Sequence, residues 1–241
     1  MNISHKHKTI WWAPERCGTK ATAHIFNHFD FEYQGVWGNK DLPKSAQYQS
    51  HELTHPSNEY SDYNVICSIR NPYDRMLGVF LYFVGSGKSS VYFKDKHNLM
   101  VDNFTIFINE LFSYKEIKPK FGIESKRDKV ILDSYISKYN FDVTIPSNFI
   151  RMENIREDIR KIEFIKNSSL LSSGYIDNYL SNNNYINVRP YKFNSLYTME
   201  TAKKVYDYHK QFFLTLGYDP FSFTTEELSD EEKMRFLHEI I

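Results

Sequence analysis

The segment Ile10–Phe29 joins an apolar run, a short turn and a helical pattern without interruption. The run Lys8–Ala13 predicts a strand covered on both faces, and Pro14 ends it because proline cannot donate to a central ladder. A helical pattern then starts at Thr19. The unpaired N–H groups and the positive dipole end at such a helix N-terminus favour phosphate or sulfate. The segment therefore predicts an α/β fold with an anion-binding turn.

The chain repeats the strand–turn–helix arrangement further on. The apolar run Asn64–Ile69 predicts a second strand, and Pro72 is well placed in the first turn of a following helix. Arg70 stands between them, at the carboxyl end of the predicted strand. Open α/β sheets bind ligands outside the carboxyl ends of their strands, and a planar guanidinium can clamp a phosphate. Arg70 is therefore a candidate ligand residue.

The rest of the chain adds mainly helices. At 241 residues it is expected to form a single domain, residues 1–241, with a charged helical tail at residues 223–241. Ser229 and Glu232 have the spacing of a capping box in that tail. The other predicted elements are a loop at Gly85–Met100, helices at Phe104–Phe112, Asn154–Ile165 and Thr198–Leu216 (ended by Gly217), and a strand at Phe149–Met152.

Composition excludes several classes of function. The 30 basic and 30 acidic residues balance, which argues against a general nucleic-acid-binding surface. Cys17 and Cys67 are the only cysteines, so reduced packing residues are expected rather than a disulfide framework. No metal-ligand cluster is expected. No apolar run suits a signal peptide or a membrane span, so the expected location is cytoplasmic.

The turn Pro14–Lys20, with the sequence PERCGTK, holds the residue types that bind anions. Gly18 allows close backbone approach, Thr19 offers a hydroxyl, and Arg16 and Lys20 supply positive charge. The turn is not a Walker A motif, since its first glycine is absent and alanine follows the lysine. An ordinary strand–helix turn with solvated charges remains the alternative.

Together, the two segments resemble the cofactor-binding motifs of sulfotransferases that use 3′-phosphoadenosine 5′-phosphosulfate (PAPS), most closely the carbohydrate, Golgi-type branch. That family has approximately PKxGGTS or PRSGTT in the first motif and RNPYxRxxSxY in the second; this chain has PERCGTK at 14–20 and RNPYDRMLG at 70–78. Phe149–Ile159 resembles the family's strand ending in glutamate, and Asn187–Asp219 its closing loop and C-terminal helix. The resemblance implies a P-loop-like, three-layer α/β fold with a central parallel sheet flanked by helices.

The resemblance also implies PAPS as the sulfate donor, PAP (3′-phosphoadenosine 5′-phosphate) as the product and a hydroxyl-bearing acceptor, expected to be a saccharide. Arg16 and Lys20 are expected to stabilise charge during sulfuryl transfer. His51 is the expected general base and His55 the second candidate. The residues implied to bind the cofactor are Pro14, Arg16, Cys17, Gly18, Thr19, Lys20, Arg70, Gly78, Arg189 and Lys192.

Three positions depart from the family pattern. Glu15 stands where lysine is usual, Lys20 where threonine or serine is usual, and Gly78 where a serine contacts the 3′-phosphate. These departures keep a second hypothesis open, a non-catalytic module of the same fold that binds a nucleotide or a sulfated glycan. A third, a P-loop kinase acting on a small molecule, is weakened by the missing Walker A context.

Overall fold

A computed structural model describes residues 2–33, 60–85, 97–112, 141–182 and 192–238. The chain divides into two compact units. The first comprises Met1–Asn71 and Tyr135–Val188, and the second comprises Pro72–Ser134 and Arg189–Ile241. A single domain over residues 1–241 stays a prediction.

The first unit is built on a mixed sheet with the strand order β3-β1-β2-β4-β5. Strands β2, β4 and β5 are parallel, whereas β1 pairs antiparallel with both β2 and β3. The predicted parallel arrangement is therefore confirmed for three strands, and an antiparallel edge makes the sheet mixed. The strands are β1 (Asn2–Ser4), β2 (Thr9–Trp12), β3 (Glu32–Tyr33), β4 (Asn64–Ile69) and β5 (Asn148–Arg151).

Helices account for most of the remaining described residues, and short 3₁₀ turns occupy Asn27–Phe29, Met152–Asn154 and Phe193–Ser195. None of the helices in the described ranges combines the length and the apolar character that a membrane crossing requires. The helices are α1 (Thr19–Phe26), α2 (Pro72–Gly85), α3 (His97–Phe112), α4 (Ile155–Arg160), α5 (Glu163–Lys166), α6 (Ser169–Ser172), α7 (Tyr175–Asn182), α8 (Met199–Tyr208), α9 (Lys210–Leu216) and α10 (Asp230–Leu237).

The core of the first unit lies between the sheet and the helices α1, α4, α5 and α7. The indole N–H of Trp11 donates to Ser68 Oγ at 2.9 Å, so the one polar atom of this large side chain is paired across β2 and β4. The predicted helix Asn154–Ile165 is instead two short helices, because Ile162 is extended between them and is buried. The apolar core residues include Trp11, Phe26, Ile66, Ile150, Ile159, Ile176 and Leu180.

The second unit packs α2, α3, α8, α9 and α10 through aromatic side chains. The predicted helix Thr198–Leu216 is broken at His209, which is 1% exposed. Gly217, with φ 71°, ends α9 as predicted. The predicted loop Gly85–Met100 is wrong at its end, since α3 already begins at His97.

The C-terminal tail is a packed helix. Its capping box is confirmed: Ser229 Oγ accepts the Glu232 amide at 3.3 Å, and the Glu232 carboxylate accepts the Ser229 amide at 2.9 Å. Phe236, 2% exposed, lies against Tyr206 and Phe223 within the second unit. The buried side chain of Phe236 thus packs the charged tail against other residues of the second unit.

Candidate anion-binding site

Three parallel strands of the first unit end at one edge of the sheet. Trp12 lies opposite Cys67, and Ile69 lies opposite Arg151. The segments that leave β2, β4 and β5 therefore meet at the carboxyl ends of the strands, where open α/β sheets bind ligands. This edge holds the turn Pro14–Lys20 and Arg70.

The backbone of the turn takes the left-handed region twice. Arg16 has φ 66° and Gly18 has φ 69°, and this conformation is uncommon for a side chain such as that of arginine. The Cys17 amide donates to the Pro14 carbonyl at 3.2 Å, which closes the turn. The Gly18 carbonyl then accepts the amides of Ala21 and Thr22, so Gly18 is the N-cap of α1. The strand–turn–helix layout is confirmed.

The start of α1 presents hydrogen-bond donors. Among the described residues, the amide N–H groups of Gly18 and Thr19 have no acceptor, and the N-cap glycine supplies none from a side chain. The positive end of the helix dipole lies at the same place. Lys20 is exposed and Arg16 is half-buried. This arrangement of donors and positive charges suits an anion such as phosphate or sulfate.

Gly18 also leaves room for a neighbouring side chain. A Cβ atom at this position would lie 2.0 Å from Met152 Cε and 2.1 Å from Met152 Sδ. Met152 follows β5, so the glycine lets this segment approach the turn closely. Two separate demands, the left-handed φ and the missing Cβ, therefore favour glycine here.

Arg70 contacts the turn directly. Its Nη1 donates to the Arg16 carbonyl at 3.3 Å, which joins the residue after β4 to the turn after β2. The next residue is held as well, since the Asn71 amide donates to Glu153 Oε1 at 2.5 Å. The structure thus brings together Arg70, Arg16 and the N-terminus of α1, three of the predicted features.

Three ionisable side chains at or beside the turn are buried. Glu15, the main departure from the family pattern, is 6% exposed, so a carboxylate lies inside the turn rather than in solvent. Cys17 and Cys67 are buried free thiols, as predicted. Burial, with a smaller contribution from Cys17, raises the pKa of the Cys67 thiol well above its usual range. Cys67 is therefore a packing residue rather than a nucleophile.

The other predicted site residues lie elsewhere in the chain. Gly78 is buried within α2, and Lys192 is exposed before the 3₁₀ turn Phe193–Ser195; both belong to the second unit. His51, His55 and Arg189 lie outside the described residues. Their roles stay predictions.

Sequence reasoning missed Met152 as a neighbour of Gly18. The two residues are far apart in the chain, and no local pattern around methionine indicates which turn it contacts. The left-handed φ of Arg16 was missed for a similar reason, since Gly18 alone carried the signal for such a conformation. Comparisons of the chain with models of protein families, with curated proteins and with solved structures each found no match.

Proposed function

We propose that this chain is a PAPS-dependent sulfotransferase with a P-loop-like fold, acting on a hydroxyl of a saccharide. The observation that carries the proposal is the hydrogen bond from Arg70 Nη1 to the Arg16 carbonyl. It joins the two segments that resemble the 5′-phosphosulfate and 3′-phosphate motifs. Both segments lie at the carboxyl ends of parallel strands, the usual ligand position in such sheets.

The turn is suited to the 5′ end of the donor. The amides of Gly18 and Thr19 would bind its anionic oxygens, and the backbone of Cys17 and the ring of Pro14 shape the turn around them. Arg70 would pair with the 3′-phosphate through its planar fork. When bound, PAPS supplies a sulfuryl group whose bond to phosphate oxygen breaks as a bond to the acceptor oxygen forms.

The remaining predicted residues have separate roles in the proposal. Arg16 and Lys20 stabilise negative charge as it develops on the leaving phosphate oxygen. His51 accepts the proton of the acceptor hydroxyl, with His55 as the second candidate. The resemblance alone assigns Arg189, Lys192 and Gly78 to the 3′-phosphate, and Gly78 replaces the serine that is usual in the family.

A transfer assay with radiolabelled PAPS and a panel of saccharides tests the proposal. The wild-type chain is expected to label at least one acceptor, and His51→Ala to slow the labelling by about 10²- to 10⁴-fold. His238→Ala, a change at an exposed histidine of the second unit, is the matched control and is expected to have no effect. Absence of both PAP binding and transfer would overturn the proposal.

The buried carboxylate of Glu15 favours a second candidate function. Glu15 stands where the family pattern has a lysine, so this chain lacks one cation that would stabilise the charge developing during transfer and would bind a nucleotide or sulfated glycan without turnover. Tight PAP binding without labelling of any acceptor, together with no effect of His51→Ala on binding, would support this module. Glu15→Gln would then raise the affinity for PAP without creating transfer activity.

A further inference from the structure

Two histidines and a tyrosine of the first unit meet at one point. His24 lies on α1, and His28 follows four residues later in the 3₁₀ turn Asn27–Phe29. Tyr175 is the first residue of α7. Both imidazoles contact the hydroxyl of this tyrosine, and the centroids of the two imidazole rings lie 5.8 Å apart.

Both imidazoles contact the Tyr175 hydroxyl at distances close to the spacing of metal ligands. His24 Nε2 lies 2.9 Å from Tyr175 Oη, and His28 Nε2 lies 3.1 Å from the same oxygen. In a tetrahedral zinc site with bonds of about 2.0–2.1 Å, ligand atoms are about 3.3 Å apart. Lengthening these two contacts by a few tenths of an ångström would bring them to the spacing of zinc ligands.

Packing holds the rings in this orientation. The His24 ring stacks on the Tyr179 ring, with centroids 4.0 Å apart and planes at 9°. Tyr179 is buried, which fixes the stacked imidazole against α7. The His28 ring meets the Tyr175 ring edge-on at 5.2 Å. Both histidines are exposed, so a metal ion has direct access from solvent and a water molecule can complete its coordination.

We propose that His24, His28 and Tyr175 bind a divalent transition-metal ion, with zinc as the best fit. Two neutral imidazoles suit zinc, nickel or copper rather than magnesium or calcium, which require mainly oxygen ligands. Two histidines four residues apart in the sequence bind zinc in the HExxH motif, where both lie on one continuous helix. Coordination by the tyrosine oxygen releases its proton to solvent. The ion would join α1 to α7.

This site is separate from the proposed sulfuryl transfer. His24 lies five residues after Thr19, about 7.5 Å along the axis of α1 from the turn Pro14–Lys20, and His28 lies beyond the C-terminal end of that helix. In the described residues, no three His, Cys, Asp or Glu side chains form a metal-binding group. The third donor here is a phenol.

The alternative is a hydrogen-bonded aromatic cluster that packs α1 against α7 without any metal. Calorimetric titration of the full chain with zinc chloride separates the two. Zinc is expected to bind the wild type, and His24→Ala and His28→Ala are each expected to weaken this binding by at least about 100-fold. Removing a residue that only hydrogen-bonds to a metal ligand already lowers metal affinity by about 10- to 100-fold. The chain has nine histidines, so His238→Ala serves as the matched control and is expected to bind like the wild type.

Cobalt absorption provides an independent measurement. Co²⁺ added to the wild type is expected to give the visible bands of a four-coordinate site, which Tyr175→Phe should alter and added zinc should remove. Tyr175→Phe keeps the ring and its packing, so it removes one donor without a cavity. No zinc binding by the wild type, or unchanged zinc binding by His24→Ala and His28→Ala, would overturn the proposal.

Discussion

The guanidinium of Arg70 donates to the backbone carbonyl of Arg16 at 3.3 Å. These residues are 54 positions apart, so the bond ties the end of one parallel strand to the turn that follows another. A charged donor on a carbonyl forms a stronger bond than a neutral one does. The contact places the cation of Arg70 at the turn Pro14–Lys20.

Gly18→Ala is expected to destabilise the chain more than Gly174→Ala does. Both glycines have φ near 70°, and placing alanine in this region costs about 1–2 kcal/mol. Only at Gly18 would the new Cβ meet another residue, Met152, whereas nothing lies within 4 Å at Gly174. Urea unfolding measures the difference. Adding Met152→Ala to Gly18→Ala should remove the extra destabilisation relative to Gly174→Ala. Equal destabilisation by the two glycine substitutions would contradict the contact between Gly18 and Met152.

Lys20→Ala is expected to lower the rate of sulfuryl transfer by about 10²- to 10³-fold, the usual effect of removing one group that stabilises developing charge. Lys6→Ala is the matched control, because Lys6 forms an exposed ion pair with Asp30 and such pairs contribute little. Single-turnover kinetics with labelled PAPS measures both. An equal rate for Lys20→Ala and Lys6→Ala would remove Lys20 from the proposed mechanism.

His209 is expected to make stability depend on pH in the acidic range. Burial, reinforced by the charge of Arg75, lowers the pKa of His209 to about 3 from an ordinary value of 6.5. Between these values the unfolded chain binds a proton that the folded chain does not, so folding is less favourable as pH falls. The slope is up to about 1.4 kcal/mol per pH unit for this one group.

Urea unfolding at pH 7 and at pH 5 measures this slope. His209→Gln is expected to reduce the loss of stability on acidification, and His238→Gln, at an exposed position, to leave it unchanged. The quantity compared is the change in the free energy of unfolding between pH 7 and pH 5. A destabilisation that is equal at both pH values does not affect this change. An unchanged slope in His209→Gln would show that other groups cause the dependence.

Tyr73→Phe is expected to lower the free energy of unfolding by about 1–3 kcal/mol, because it leaves a carbonyl without its donor. The Tyr73 hydroxyl donates to the Pro220 carbonyl at 2.7 Å, and Tyr73 is fully buried. Tyr206→Phe is the control from the same unit, since the Tyr206 hydroxyl has no hydrogen bond to the described residues. Thermal unfolding of both variants tests this, and equal midpoints would contradict it.

Local signals predicted well those elements whose ends are set by neighbouring residues. The strand Asn64–Ile69 has the predicted bounds, and the predicted cap of α10 at Ser229 is confirmed. The turn at Pro14–Lys20 was also predictable, because proline, glycine and the following apolar spacing all act within a few residues.

Elements that depend on distant contacts were not predictable in this way. β1 has polar residues at two of its three positions, Asn2 and Ser4, yet both are buried: Asn2 pairs with β2 and β3, and Ser4 pairs with β2. The breaks at Ile162 and His209 occur at buried residues, where packing overrides the helical pattern. The contact between Arg70 and Arg16 required the order of the strands, which no local spacing specifies.

Calorimetry with PAP on the wild type and on Arg70→Ala tests the central proposal most directly. The wild type is expected to bind PAP, and Arg70→Ala to bind at least about 30-fold more weakly, equivalent to about 2 kcal/mol for the loss of a charged hydrogen-bonding partner. Arg160→Ala is the control, since Arg160 pairs with Asp177 on the surface of the same unit. No binding of PAP by the wild type, or equal affinities of Arg70→Ala and Arg160→Ala, would contradict the proposed site.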